Sequence, residues 1–150
     1  MKNYLVTLCS LLSISTFAQI TVLSTDMPVI GDTITRNVDT LTTETEGPGG
    51  ANQVWDFTGA AAHEVNATRV ILPSTTPYAA DYASSNMAMT NDNVAFIYFD
   101  AQTSYFNTTG AAGDLLNNGV IIKANFSPDL TVNQFPTDYG NNFIDTYAFD

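Results

Sequence analysis

The stretch that decides the fold is VAFIYF, residues 94–99. Asp92 and Asn93 precede it and Asp100 follows it, so turn-forming residues bound a short run of apolar side chains. A buried helix segment could show the same run, but six residues bounded by turn signals is the length of a strand. Because every position is apolar, we predict a central strand that is covered on both faces.

Further strands are predicted on either side of this stretch. Residues 120–126 alternate apolar and polar side chains after an Asn-Asn-Gly turn at 117–119, which indicates a half-buried strand. Residues 65–72 form a strand that Pro73 ends. Shorter strands are predicted at residues 53–58, 104–107 and 146–149.

The composition favours one fold class throughout the chain. Threonine, asparagine and aromatic residues are abundant, whereas the lysine and glutamate of surface helices are nearly absent. One helical turn is predicted at residues 76–84, with Thr76 as its cap and Pro77 in its first position. Short strands roughly 10 to 15 residues apart predict an all-β fold, an antiparallel β-sandwich of the Ig-like or jelly-roll-like kind.

The first 18 residues have the features of a secretory signal peptide. Lys2 provides the positive charge, residues 4–14 form an apolar core, and the small residues Thr16 and Ala18 offer a cleavage site after Ala18. The apolar core is shorter than the ~20 residues that a spanning helix needs. We therefore expect a protein that is secreted or held at the cell surface, with no membrane insertion after signal cleavage.

The single cysteine, Cys9, lies inside this segment, and its neighbours do not form a lipoprotein signal. The mature chain would have no disulfide and would depend on burial and backbone pairing. We expect a signal peptide at residues 1–18 and one β-sandwich domain at residues 19–150. The alternating pattern at residues 146–150 stops without a cap or turn, so we expect the N-terminal part of a longer protein, incomplete at its C-terminus.

The charge balance excludes several classes of protein. The chain has 15 acidic residues against 4 basic ones and carries a net charge of −11. Removal of Lys2 with the signal would leave three basic against 15 acidic side chains, a net charge of −12. We expect no nucleic-acid partner, because phosphate binding depends on basic side chains. One cysteine and one histidine cannot form a zinc site of the Cys/His kind.

No catalytic or cofactor-binding residue is predicted. His63 is the only histidine, lies in a stretch of small residues before a strand, and has no Gly-x-Ser-x-Gly nucleophile in the sequence, so we expect a solvated loop residue. Glycoside hydrolysis would need a pair of carboxylates that sequence alone does not reveal. The only glutamates are Glu44, Glu46 and Glu64.

Calcium is the one cation that the acidic loops would suit, at residues 91–93 or 138–145. Neither stretch has the spacing of a helix-loop-helix calcium site, and asparagine and aspartate are common in turns for backbone reasons, so we assign no metal site.

Aromatic residues exposed on a sandwich could stack on sugar rings. Trp55 lies between Val54 and Phe57 and is expected in the core. The aromatic candidates for sugar contact are Trp55, Tyr78, Tyr82, Tyr105 and Tyr139. Two Asp-Thr-apolar triplets, at residues 32–34 and 39–41, fit a short pattern for bacterial O-glycosylation at Thr33 and Thr40.

Three segments and the cleavage site together resemble a known group of proteins. The segments are DMPVIGD at 26–32, GPGGANQVWDF at 47–57 and FPTDYG at 135–140, and the cleavage site is STFAQ at 15–19. They are similar to the N-terminal regions of uncharacterised secreted proteins exported by the type IX secretion system. The resemblance covers most of the mature chain and implies no catalytic residue.

These observations lead to two functional expectations. The first is a secreted or cell-surface β-sandwich module without catalytic activity, serving display, adhesion or glycan contact with a glycan or protein ligand. The second is the N-terminal accessory region of a secreted hydrolase whose catalytic part lies beyond residue 150. The sequence after Asp150 would separate them, since a sorting domain favours the module and an acid/base or nucleophile motif favours the hydrolase.

Overall fold

The structure is a computed structural model that describes residues 20–41, 49, 54, 57–138 and 140–150. The predicted signal peptide and half of the strand predicted at residues 53–58 lie outside the described residues, and the described residues 54, 57 and 58 are not in a strand. The following candidate residues also lie outside the described residues: Glu44, Glu46, Trp55 and Tyr139. In the described part of the chain, no helix is long and apolar enough to span a bilayer.

The described residues form two antiparallel sheets. The strands are β1 (Thr21–Val22), β2 (Thr33–Val38), β3 (Glu64–Ile71), β4 (Met87–Thr90), β5 (Ala95–Ala101), β6 (Tyr105–Gly113), β7 (Ile122–Gln134) and β8 (Thr137–Asp138). The large sheet has the order β2-β3-β4-β5-β6-β7, and β1 pairs with β8. The predicted all-β antiparallel sandwich is confirmed, and within the large sheet consecutive strands are neighbours, as in a meander.

The strand predicted at residues 94–99 is β5, and it lies between β4 and β6 as expected. Phe96 and Tyr98 point to one face of the sheet, and both are buried. The register shifts between Tyr98 and Phe99, and Phe99 packs in a second apolar cluster. Ile97 is 45% exposed, so the two faces are not equally covered.

We name the two faces by this difference in cover. The closed face is the side whose core is Tyr82, Ala88, Phe96, Tyr98 and Ala112. The open face is the side that carries Val70, Met87, Met89, Ile97, Phe99 and Phe106. Cross-strand partners share a face, which assigns Met89 and Ile97 to the same side.

Tyr82 comes from the connection between β3 and β4 and covers the closed face. Its ring stacks on Tyr98 with centroids 4.1 Å apart and an interplanar angle of 8°. Its hydroxyl donates to the carbonyl of Ala111 at 2.7 Å and lies 3.2 Å from that of Ala124. Gly110 makes room for the ring, because a Cβ there would lie 2.4 Å from Tyr82 Cε1.

The helical turn predicted at residues 76–84 is wrong. A short 3-10 turn at Pro73–Thr75 is followed by successive turns, in which amides bond to carbonyls three residues back. Thr76 does not cap a helix, because its hydroxyl donates to the carbonyl of Pro73 and lies 2.6 Å from the Tyr98 hydroxyl. These contacts, together with the burial of Tyr82, override the local helix signal.

Other predicted strands match closely. The strand predicted at residues 65–72 is β3 and stops before Pro73, and the one predicted at 120–126 is the start of β7. The strand predicted at 104–107 is the start of β6, which pairs with β5. The strand predicted at residues 146–149 is wrong, because the chain forms an isolated bridge there, from Phe149 to Phe126 on β7.

Candidate functional site

The open face contains two grooves. The first, which we call the Phe106 groove, has a volume of about 480 Å³, within the range of ligand pockets. Its floor is apolar and its rim is polar but uncharged. The floor side chains are Met27, Met87, Phe106 and Phe135, and the rim side chains are Ser24, Asn86, Gln102 and Thr103. None of the described residues that line this groove is charged, although the chain has a net charge of −11.

One wall of the Phe106 groove is fixed by paired hydrogen bonds between the start of β4 and the end of β5. Asn86 Nδ2 donates to the Ala101 carbonyl, and the Ala101 amide donates to Asn86 Oδ1, both at 2.8 Å. Phe106 in the floor stacks on Phe99, which lies behind it, with ring centroids 4.8 Å apart. The wall is therefore held by the sheet itself.

The opposite wall is the segment before β2. The Gly31 amide donates to the Val70 carbonyl at 2.9 Å, which ties this segment to β3. Asp32 Oδ2 accepts a hydrogen bond from the Val29 amide at 2.9 Å. These bonds hold Met27 in its place in the floor of the groove, where it packs on the core of the open face.

The second groove, which we call the Ile97 groove, has a volume of about 530 Å³ and crosses β2 to β5. Ile34 and Ile97 form apolar parts of its surface and are 38% and 45% exposed. Thr68 links its polar side chains, donating to Asn91 Oδ1 at 2.6 Å and accepting from Arg36 at 3.5 Å.

The turn at residues 91–93 borders the Ile97 groove and was one of the two stretches considered for calcium. Asp92 Oδ1 accepts from the amides of Val94 and Ala95, at 2.8 and 3.2 Å. These two amides hold the pKa of Asp92 below its usual value, and Asn93 has a φ of 64°. Both features belong to turn chemistry, the role that the sequence favoured.

The acidic residues of the other stretch also have protein partners. The hydroxyl of Thr21 donates to Asp138, and the amide of Thr131 donates to Asp145 Oδ2 at 2.6 Å. Among the residues that the structure describes, no group of three or more His, Cys, Asp or Glu side chains is arranged to hold a metal ion. The expectation that neither stretch is a metal site stays a prediction.

His63 lies directly before β3 and has a partner that the sequence did not reveal. Its Nδ1 is 2.8 Å from Asp39 Oδ1, just after the end of β2. The carboxylate of Asp39 also accepts from the amides of Ala61 and Leu41, both at 3.0 Å. These two amides, with a smaller effect of His63, hold the pKa of Asp39 below its usual value. The arrangement closes the neck of the β2–β3 connection.

The described tyrosines that are candidates for sugar contact differ in burial and in their partners. Tyr82 is only 3% exposed, so its selection as a sugar-stacking residue is wrong. Tyr78 is half-buried, with its ring edge-on to Phe96 and the ammonium of Lys123 5.7 Å from its centroid. Tyr105 is half-buried, and its hydroxyl donates to Asp100 Oδ2 at 2.8 Å.

A polar cluster across β5, β6 and β7 was also not predicted from the sequence. Asp100 is paired in register with Asn107, whose Oδ1 is buried and accepts no hydrogen bond from the described groups. Partial burial, and then the charge of Asp100, raise the pKa of Asp129. The bond to Asp100 raises the pKa of Tyr105. Two carboxylates from distant parts of the chain are thus electrostatically coupled on one sheet.

The two Asp-Thr-apolar triplets flank β2. Thr33 is its first residue and Thr40 lies in the bend that follows it, and both are exposed. The O-glycosylation of these threonines stays a prediction.

Comparison with known proteins adds no relative to this description. No protein-family model matches the chain, and no similar curated protein or solved structure was found.

Proposed function

We propose that the chain is a secreted or cell-surface β-sandwich module without catalytic activity, which binds its ligand on the open face. The observation that carries this proposal is the Phe106 groove, an open groove of about 480 Å³ with an apolar floor and an uncharged polar rim. Its size and lining are those of a site for a small ligand group. A ligand for such a surface is neutral and presents an apolar group to the floor.

The charge of the chain supports the same ligand class. With 15 acidic side chains against 4 basic ones, the molecule repels anions at long range. Among the described residues, none of those that line the groove carries a charge that would bind an ion. Neutral glycolipid-like or glycan ligands and uncharged protein segments fit both conditions, in line with a role in adhesion or display.

Methionine methyl groups allow the two grooves to be observed separately. Met27 and Met87 line the Phe106 groove, whereas Met89 lines the Ile97 groove. In a secreted protein labelled with ¹³C in the methionine methyls, titration with octyl glucoside below its micelle concentration should shift Met27 and Met87. Glucose alone tests whether the apolar chain is required.

A matched pair of variants controls this experiment. Met27→Ala should weaken octyl glucoside binding about tenfold, because it removes part of the apolar floor. Met89→Ala makes the same change in the other groove and should leave the affinity unchanged. No shift at Met27 and Met87, or equal effects of the two variants, would contradict binding in the Phe106 groove.

The secreted location has its own test. Its support is the charge and apolar pattern of residues 2–18 and the resemblance to type IX secretion cargo. N-terminal sequencing of the protein from culture medium or the cell surface should begin at Gln19. A product that keeps Lys2 in the cytoplasm would overturn this part of the proposal.

A further inference from the structure

The two outer strands of the large sheet differ in how their free edges are protected against pairing with a further strand. On β7, Pro128 removes a backbone donor, and the pairing with β6 shifts register at two points. The C-terminal residues occupy part of the same edge. The Ser127 amide donates to Ala148 at 2.8 Å, and Asn125 exchanges hydrogen bonds with Asp150. The edge of β7 is therefore irregular and partly covered.

Among the residues that the structure describes, the edge of β2 has none of these features. Its pairing with β3 runs in unbroken register from Thr33 opposite Arg69 to Val38 opposite Glu64. The strand reads TITRNV, with no proline or lysine, and its first five residues are exposed. Short charged strands, prolines and bulges are the usual protection against added strands. A strand in regular register, with no proline or bulge and with Arg36 as its one charged side chain, is suited to pairing.

The backbone groups that face outward on β2 follow from the hydrogen bonds to β3. The Val70 amide donates to the Asp32 carbonyl at 2.9 Å, which makes Asp32 an inward-bonding position. Because inward and outward positions alternate in an antiparallel pair, Thr33, Thr35 and Asn37 direct their amides and carbonyls away from β3. Among the described strands, none pairs with this side.

The side chains beside this edge define what an added strand would contact. Ile34 and Arg36 point to the open face and border the Ile97 groove. Alternate side chains of an added strand would lie next to Ile34, which is 38% exposed. An apolar residue at alternate positions of the partner would extend the apolar surface of the groove.

Charge selects the class of partner. Asp32 and Asp39 stand at the two ends of β2, on a chain of net charge −11. A second copy would bring two such charges together, and antiparallel pairing about the strand centre would place Arg36 close to its own counterpart. Asp39 is already paired with His63 at 2.8 Å, so the charge that a partner would meet at the end of the strand is the exposed Asp32, which a basic residue at the end of the segment complements.

We propose that the outer edge of β2 is a strand-addition site for an extended, basic segment of another protein. Main-chain hydrogen bonds to Thr33, Thr35 and Asn37 hold the segment, and its alternate apolar side chains lie against Ile34. This site differs from the Phe106 groove, so it can be tested separately from the proposed function.

The probe is an acetylated, amidated peptide of sequence KTVTVTVK, added to the ¹⁵N-labelled secreted protein. Binding should shift the amides of Thr33, Thr35 and Asn37 and slow their hydrogen exchange, while the Met27 and Met87 methyls stay unchanged. Higher salt should weaken binding, because the attraction to the lysines is screened. A peptide with N-methyl groups along one edge cannot form the ladder and should not bind.

A matched pair of variants tests the backbone contact. Thr35→Pro removes an outward amide without removing a bond to β3 and should weaken binding about tenfold, whereas Thr35→Val keeps the amide and should bind as the wild type does. If Thr35→Pro fails to fold, the N-methylated peptide tests the backbone contact instead, and its binding as tightly as the unmodified peptide would contradict strand addition. Absence of peptide binding, or shifts on β7 instead, would overturn the proposal. A wild-type dimer that Thr35→Pro dissociates would identify a second copy as the occupant and would also overturn it.

Discussion

The two faces of the large sheet share strands but differ in cover. On β5, Tyr98 is fully buried under Tyr82 on the closed face, whereas Ile97, the preceding residue, is 45% exposed on the open face. The difference comes from the connection between β3 and β4, which lies over only one side. The open face has a buried cluster of its own at Val70, Met87, Phe99 and Phe106, but beside it, at Ile34 and Ile97, it keeps exposed apolar surface that is available for contact.

The largest expected effect is the loss of the Tyr82 ring. Tyr82→Ala should lower the free energy of unfolding by about 4 kcal/mol, because it leaves a cavity over Tyr98. Ile97→Ala on the same sheet should lower it by about 1 kcal/mol or less, since that side chain is already 45% exposed. Urea denaturation measures both, and equal losses would contradict the difference between the faces.

A smaller effect is expected where Tyr82 approaches the backbone of β6. Gly110→Ala should lower the free energy of unfolding by about 3 kcal/mol. Its new Cβ would lie 2.3 Å from the Ala124 carbonyl oxygen and 2.4 Å from Tyr82 Cε1. Gly49→Ala is the control, because nothing lies within 4 Å of its Cβ position. A Gly110→Ala protein as stable as the control would show that the ring does not pack there.

The hydroxyl pair beneath the covering segment should contribute less. Thr76 Oγ1 lies 2.6 Å from the Tyr98 hydroxyl and also donates to Pro73. Tyr98→Phe should lower the free energy of unfolding by about 1 kcal/mol, the usual effect of one lost hydrogen bond. Tyr105→Phe removes a hydroxyl from a half-buried residue and provides a comparison in the same urea experiment. A larger loss for Tyr105→Phe would be inconsistent with the closed face as the stable one.

The closed face should also set the alkaline limit of stability. Burial, as the main cause, raises the pKa of Tyr82 to about 12. A tyrosine in the unfolded chain ionises near its ordinary value of 10.0. The stabilisation of the folded state by protonated Tyr82 is therefore fully present below pH 10 and is lost as the pH rises through about 12. Tyr82→Phe should flatten the fall of the melting temperature in this range. If the melting temperature of Tyr82→Phe falls as steeply at alkaline pH as that of the wild type, groups other than Tyr82 cause the fall.

Two aspartates away from the closed-face core should show small effects of opposite sign. The pKa of Asp92 is lowered by the amides of its turn, so its stabilisation is present near neutral pH and is lost as the pH falls through its folded pKa. The pKa of Asp129 is raised by burial and Asp100, so the folded state loses stability as the pH rises above the unfolded value. At pH 7, Asp92→Asn should lower the melting temperature and Asp129→Asn should raise it. Changes of the same sign would refute this assignment.

The sequence predicted what short-range patterns determine. The apolar run at 94–99, the end of β3 before Pro73 and the turn at 117–119 are all set by neighbouring residues. β2 and β4 were missed because TITRNV and MAMT are short and show no clear alternation of apolar and polar residues. Their place in the sheet depends on their partners.

The candidate site could not be predicted because its contacts are distant in sequence. The burial of Tyr82 depends on space over Gly110, and the Phe106 groove combines the segment before β2 with residues of β4 to β6. His63 shows the same limit, since its contact with Asp39 forms only when β2 and β3 pair. No local pattern contains these pairings.

The most direct test of the difference between the faces is methyl exposure to a neutral gadolinium chelate in solution. In the protein with labelled isoleucine δ1 and alanine methyls, the signals of Ile34 and Ile97 should broaden strongly, since both are exposed on the open face. Ala88 and Ala112, fully buried on the closed face, should stay sharp. Protection of Ile34 and Ile97 equal to that of the two alanines would show that the open face is covered and would contradict this account.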